Sequence, residues 1–227
     1  MRSLFILAGI CFVLAAVPVM AADIVTVPTA NQLKAGEVDV AYYFLDLDFP
    51  SGAPTGVNFL TLYVGVTDQL EIDAHRDEAT GGPDLPGRTI WNATWLLLEE
   101  NQRNPNVVIG GRNLDGEGTK ASWFISAAKT VMAPVGGPPS LENPVVRLHL
   151  SVGTEDDTLL GETRHDGIFG GVQSLLTPQW GLVALHDGQD FIGGLTYTKN
   201  PKWPTFKGGV YGDHTWVGVS YTFNVKQ

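Results

Sequence analysis

The chain has 227 residues, 24 acidic against 14 basic, and a formal net charge of −10. With no basic stripe anywhere, that balance excludes nucleic acid as a partner. A single cysteine excludes a disulfide framework, while 27 glycines with 6 Trp, 6 Tyr and 10 Phe suit an all-β chain.

Arg2 precedes an apolar run from Leu4 to Val17, and Val19-Met20-Ala21 puts permissive residues at −3 and −1 of a cleavage point. This pattern predicts a cleaved secretory signal peptide over residues 1–21, leaving a mature domain over 22–227 of ~205 residues. Ile10 is too bulky to precede a lipidated cysteine, so Cys11 leaves with the signal. No later run reaches the roughly 18 apolar residues that a spanning helix needs.

Asp23 to Val27 reads as an extended lead-in ended by Pro28. Glu37 to Leu47 then alternates, with Val38, Val40, Tyr42 and Phe44 on one face and Asp39, Ala41, Tyr43 and Leu45 on the other. Pro50 to Gly56 is a loop, Val57 to Val66 the return strand, and Thr67-Asp68 a tight reversal. Gln69 to Arg76 sets Leu70, Ile72 and Ala74 against Glu71, Asp73 and His75, and Asp77 to Gly87 is a polar loop. Alternation at period two is the warrant for strands throughout.

Arg88 to Glu99 carries Trp91 and Trp95 on one face, a spacing that also fits a helix but sits here among β-branched and aromatic residues. Asn106 to Leu114 carries Arg112 inward, and Lys120 to Val131 sets Trp123 and Ile125 against Ser122, Phe124 and Ser126. A proline-rich loop, Ala133 to Asn143, leads to Pro144–Gly153, where Val146, Leu148, Leu150 and Val152 oppose Arg147, His149 and Ser151. An acidic loop, Thr154 to Asp166, precedes strands over Gly167–Leu176, Gln179–His186, Asp190–Thr198, Phe206–Gly212 and Thr215–Phe223, with Asp187-Gly188 as a hairpin turn.

About twelve strands of roughly ten residues, apolar on one face and polar on the other, predict a single antiparallel transmembrane β-barrel in the cell outer membrane, its wall against outer-membrane lipids. Closure is required because an open edge in lipid leaves backbone donors and acceptors unsatisfied. Long Pro/Gly loops alternating with tight turns imply one long-looped and one short-turned rim. A soluble periplasmic β-sandwich is the alternative architecture for the same alternation. The aromatic last strand, with Phe223, resembles the signal read by the barrel assembly machinery, although Asn224 to Gln227 follow it here.

Three stretches resemble YjbH-type outer-membrane proteins, a family associated with exopolysaccharide or capsule production. They are Pro28-Thr29-Ala30 before an alternating strand, Gly65 to Ile72, and Gly170 to Pro178 leading to His186–Tyr197. Leu185 departs from the acidic residue expected two before the Asp-Gly turn. The resemblance implies a barrel accessory to polysaccharide export or envelope integrity, without catalytic residues.

His149-Leu150-Ser151 resembles the His-x-Ser dyad of outer-membrane phospholipases and lipid A deacylases, and period two puts both side chains on one face. That face is the polar one, so the pair is expected in the lumen with Arg147, away from lipid. Glu71, Asp73 and His75 offer metal-ligating types, but i, i+2 and i+4 on one strand span ~13 Å, too far for one ion. These three, with Arg112, Arg147, His149 and Ser151, are expected to form a polar lumen network in which the carboxylates pair with the arginines. No cofactor or metal is implied. Three functions stay open: a non-enzymatic accessory barrel, a small porin passing small solutes, and a lipid hydrolase using His149 and Ser151. A filled lumen favours the first, an open one the second, and a lipid-facing dyad the third.

Overall fold

In the computed structural model, which describes residues 23–24, 27–46, 56–80, 87–115, 120–154, 156–157 and 163–225, twelve antiparallel strands close into a barrel. They are β1 (Glu37–Asp46), β2 (Gly56–Gly65), β3 (Leu70–Thr80), β4 (Arg88–Leu98), β5 (Asn106–Arg112), β6 (Ser122–Met132), β7 (Val145–Gly153), β8 (Gly167–Leu175), β9 (Trp180–His186), β10 (Phe191–Thr198), β11 (Thr205–Tyr211) and β12 (His214–Asn224). Each strand pairs with its chain neighbours, and β12 closes on β1 in the register Thr215↔Asp46 through Asn224↔Glu37. Among the described residues there is no helix. The signal peptide expected over residues 1–21 lies outside the described residues.

The alternation sorts side chains as a barrel wall requires. Outward stand Val40, Tyr42, Leu60, Leu62, Ile109, Ile125, Leu148, Leu150, Leu195 and Val217, all exposed. Inward and buried stand Asp39, Tyr43, Thr61, Glu71, Asp73, His75, Asn92, Ser126, His149, Ser151 and Lys207. Aromatics gather outside near both ends: Trp91, Trp123 and Phe191 at the rim away from the termini, and Trp180, Trp203, Phe206, Tyr221 and Phe223 at the rim that holds them. Outward charges such as the exposed pair Arg76–Glu78, 2.7 Å apart, lie towards the strand ends.

Glycine and aromatic positions interlock inside the wall. A Cβ on Gly194 of β10 would meet the Trp216 ring at 2.6 Å, and one on Gly218 of β12 would collide with Tyr43. Bare backbone at these points lets large rings, from the next strand for Gly218 and from two strands away for Gly194, lie against the sheet. Tyr43 and Trp216, with centroids 6.2 Å apart, join Leu45, Val57, Val183, Leu185, Ile192 and Tyr211 in one apolar cluster.

Three expectations are corrected. Strand β3 runs on through Thr80, because Asp77, Glu78 and Ala79 pair with Phe59, Asn58 and Val57; their polarity suggested a loop, but the ladder continues past it. The long Pro-rich stretch 133–144 joins β6 to β7 at the terminal rim, whereas the rim opposite includes the tight turns 187–190 and 212–213. Long and short connections are therefore mixed between rims. Within the acidic loop, Asp156–Asp157 pairs with Thr163–Arg164.

Candidate functional site

The lumen is occupied by the chain itself. Residues preceding β1 run back inside the barrel, where Val27, Thr29, Ala30 and Leu33 are at most 1% exposed. Val27–Pro28 pairs with Asp23–Ile24, and Val27 and Ala30 belong to the main apolar cluster. Leu33 packs with Tyr63 of β2.

Polar groups from five strands, and from the turn between β2 and β3, hold this segment. The Leu33 N–H donates to Glu71 Oε2 at 2.8 Å, in β3. Gln32 Nε2 donates to the carbonyls of Gln69, in that turn (2.8 Å), and Thr94 in β4 (3.3 Å). Asn106 Nδ2, in β5, donates to the Ala30 carbonyl at 3.2 Å, and Asn31 Nδ2 donates to Gln173 Oε1, in β8, at 3.1 Å. Ser151 Oγ, in β7, reaches the Pro28 carbonyl at 3.4 Å. An irregular segment in a dry interior must find partners for its backbone groups, and the wall supplies them at spaced levels.

A local turn feeds the segment into the wall. Lys34 N donates to Glu37 Oε2 and Glu37 N to the Lys34 carbonyl, at 2.8 and 2.9 Å. Gly36 adopts φ 83°, a left-handed conformation that glycine takes without steric cost, and its N–H reaches the Gly65 carbonyl at 2.8 Å. The turn sits so tightly on Gly65 that a Cβ there would strike the Lys34 carbonyl.

All seven candidate residues lie inside the wall, in separate groups. Asp73 accepts from Asn92 Nδ2 at 2.6 Å and pairs with His75 Nε2 at 2.6 Å, while His75 Nδ1 meets Thr61 Oγ1 at 3.2 Å. Asn92 Oδ1 in turn accepts from the N–H of Asn113, whose φ is 53°. Arg112 Nη1 approaches His165 Nδ1 at 3.5 Å, and Asp77 pairs with Arg88 at 3.6 Å. Arg147 pairs with Glu100, in the β4–β5 turn, and donates to Thr130 at 3.1 Å. The expected pairing of the β3 carboxylates with the arginines is thus corrected for Asp73 and Arg147. Arg147 stands across β6 from the β4–β5 turn and meets the nearer carboxylate, and Asp73 has an imidazole and an amide within its own strand and the next.

The His-x-Ser pair is split. His149 Nε2 donates to Gln173 Oε1 at 2.8 Å, whereas Ser151 Oγ shares a 2.6 Å hydrogen bond with Ser126 Oγ. His149 points at the Asn31–Gln173 contact, and Ser151 at the Pro28 carbonyl. Both act here as ties to the inserted segment.

At the terminal rim Glu100 is a charged tie of the wall. Burial alone would raise its pKa, but the hydrogen bond from the Thr130 N–H and the Arg147 guanidinium outweigh that and hold the carboxyl below its ordinary value. Register irregularities at Leu96/Leu98 and Thr130/Met132 flank this group, and such bulges re-aim side chains. At the opposite rim Asp187 is fully buried. Its Oδ1 accepts the N–H groups of Gln189 and Asp190, its Oδ2 accepts from Tyr211 Oη at 2.5 Å, and its carbonyl accepts from His165 N.

Residue-by-residue reading missed Asn31, Gln32, Leu33, Asn106 and Gln173. The signal available was Thr29-Ala30-Asn31-Gln32, a polar non-alternating stretch directly before a strand. It reads as a linker until the closed wall gives it an inside.

No protein-family model matches the chain, and no curated protein sequence matches it. Among solved structures it is similar to the crystal structure of an outer membrane channel from Pseudomonas putida F1, with 15% identity and a TM-score of 0.42 over 84% of this chain and 96% of that one.

Proposed function

We propose that the chain is an outer-membrane β-barrel held shut by its own N-terminal segment. It acts without catalysis as an accessory or structural element of the envelope, beside exopolysaccharide export. The observation that carries this reading is residues 27–33 lying in the lumen, with Val27 to Ala30 and Leu33 buried, and tied to five strands. The membrane assignment rests on the outward apolar band and its two aromatic ends. Soluble monomers keep contiguous apolar patches to a few hundred Å², and such a band encircled by aromatic girdles is what a bilayer selects. The non-enzymatic reading is supported by the separate partners of His149 and Ser151. The polysaccharide link is supported by the resemblance to YjbH-type proteins, one of whose three stretches, Pro28–Ala30, is part of the inserted segment.

Single-channel recording in planar bilayers tests the closure. The intact protein is expected to give no steady conductance, and deletion of residues 27–33 to give a steady open level. Glu71→Ala, which strips the Leu33 N–H of its acceptor, is expected to give brief openings. Equal steady conductance from the intact and deleted proteins would overturn the closed reading.

A further inference from the structure

The hydrogen bonds of residues 28–33 include ties to β3, β4, β5, β7 and β8, and Val27 and Ala30 belong to the apolar cluster that holds Tyr43 and Trp216. The wall beside Tyr43 also holds a buried cation. Lys207 of β11 is 7% exposed; its Nζ donates to Tyr43 Oη at 2.9 Å and lies 5.3 Å from the Tyr43 ring centroid. It makes no ion pair with any described carboxylate.

The immediate surroundings offer hydroxyls and no described carboxylate. Thr196 stands directly across the ladder from Lys207 on one side and Gly218 on the other, and Gly218 faces Tyr43 in β1. Ser220 is the next inward residue after Gly218, and both hydroxyl residues are buried, at 7% and 6% exposure. Side chains directly opposite in a ladder sit about 5 Å apart at Cβ, and diagonal ones about 7–8 Å, within reach of one small molecule. The Lys207 ammonium has three hydrogens and spends one on Tyr43; the Tyr43 hydrogen and the Thr196 and Ser220 hydroxyls meet no acceptor among the described residues. Gly218 flanks Lys207 in the same inward row, and the Tyr43 ring lies over it, which brings the Tyr43 hydroxyl to the ammonium. The inward carboxylate on these strands, Asp39, lies two inward positions along β1 from Tyr43, ~13 Å at the strand rise, and accepts from Thr222.

A buried ammonium lacking a counter-charge is costly, and its two unused N–H groups, with the hydroxyl hydrogens beside them, are completed by a ligand that brings negative charge and acceptor oxygens. We propose that Lys207, Tyr43, Thr196 and Ser220 form a lumenal binding site for a small oxyanion, a carboxylate or phosphate carried by a free solute. The site faces the interior, which separates it from lipid headgroups at the rims. It does not depend on the lumen being closed, so a failure of the conductance test leaves it standing.

Equilibrium dialysis of the full chain in neutral detergent, at constant ionic strength, tests it with acetate and inorganic phosphate as probes and tetramethylammonium as the cation control. Saturable 1:1 binding of at least one anion and none of the cation is expected. Lys207→Met is expected to weaken it at least tenfold, Tyr43→Phe several-fold, and Lys207→Arg little. Folding of each variant is read from heat-modifiable gel migration; if Lys207→Met does not fold, the double variant Tyr43→Phe/Thr196→Val decides. Absence of saturable anion binding to the intact protein, or undiminished affinity in the deciding variant, overturns the proposal.

Discussion

Glu71 shows how much depends on one side chain. It is fully buried in β3, and one of its oxygens accepts the backbone N–H of Leu33. Leaving that N–H unpaired in a dry interior costs on the order of 1–3 kcal/mol. Glu71→Ala is therefore expected to lower the urea midpoint of the refolded barrel as well as to disturb closure. Glu100 shows a second kind of dependence. Its carboxyl is held below its ordinary pKa, so the stability it adds is complete above the unfolded carboxylate value, about 4.3, and is lost as pH falls through the lower folded value. Against Glu100→Gln, the wild-type advantage in urea unfolding is expected to be constant above about pH 5.5 and to shrink steadily towards pH 3. A gap that did not change with pH would contradict the ionic role. Inward placement of Glu71, Asp73, His75, Arg112, His149 and Ser151 was legible from period two alone. Their partners were not, because Gln173, Ser126 and the Leu33 N–H lie far away in sequence.

Among the elements, β7 tests the facing most directly. Leu148 is 43% exposed on the outer wall, two residues from Val146 and Leu150, and His149 is 5% exposed on the inner one. Charge placed at the bilayer midplane costs about 2–4 kcal/mol, and less near the interface. Leu148→Arg is thus expected to lose up to that amount in refolding into lipid vesicles, while inward polar exchanges such as Ser151→Thr cost much less. The strand β3 carries the opposite lesson. Its last four residues, Asp77 to Thr80, read locally as loop, yet Phe59, Asn58, Val57 and Gly56 hold them in the ladder. Pairing with a committed neighbour overrides local propensity. The inserted segment is the extreme case: it has no periodicity to read, and its conformation is set by what surrounds it.

For the whole molecule, closure through β12 and β1 leaves no free edge, and closure in lipid predicts resistance to detergent. The purified protein is expected to migrate faster in unheated than in boiled detergent gels and to fractionate with membranes. Recovery as a stable detergent-free monomer in buffer would contradict the outward-facing assignment. The apolar outer band makes this a strong test, because residues such as Trp123, Leu150 and Val217, each more than half exposed, have no partner in the described structure except the surrounding medium.

The amino-acid sequence by itself determined the strand count, the facing of each strand and the all-β class, since a two-residue rhythm is a local property and survives without knowledge of any neighbour. Only the tertiary structure decided that the sheet is a closed ring, that residues 27–33 lie in its interior, and that the candidate polar residues fall into separate groups, of which Glu71 and Ser151 hold that segment directly. The reason is physical. An inside exists only once the last strand meets the first, and which acceptor a buried donor finds there depends on register and curvature, neither of which is written in the period.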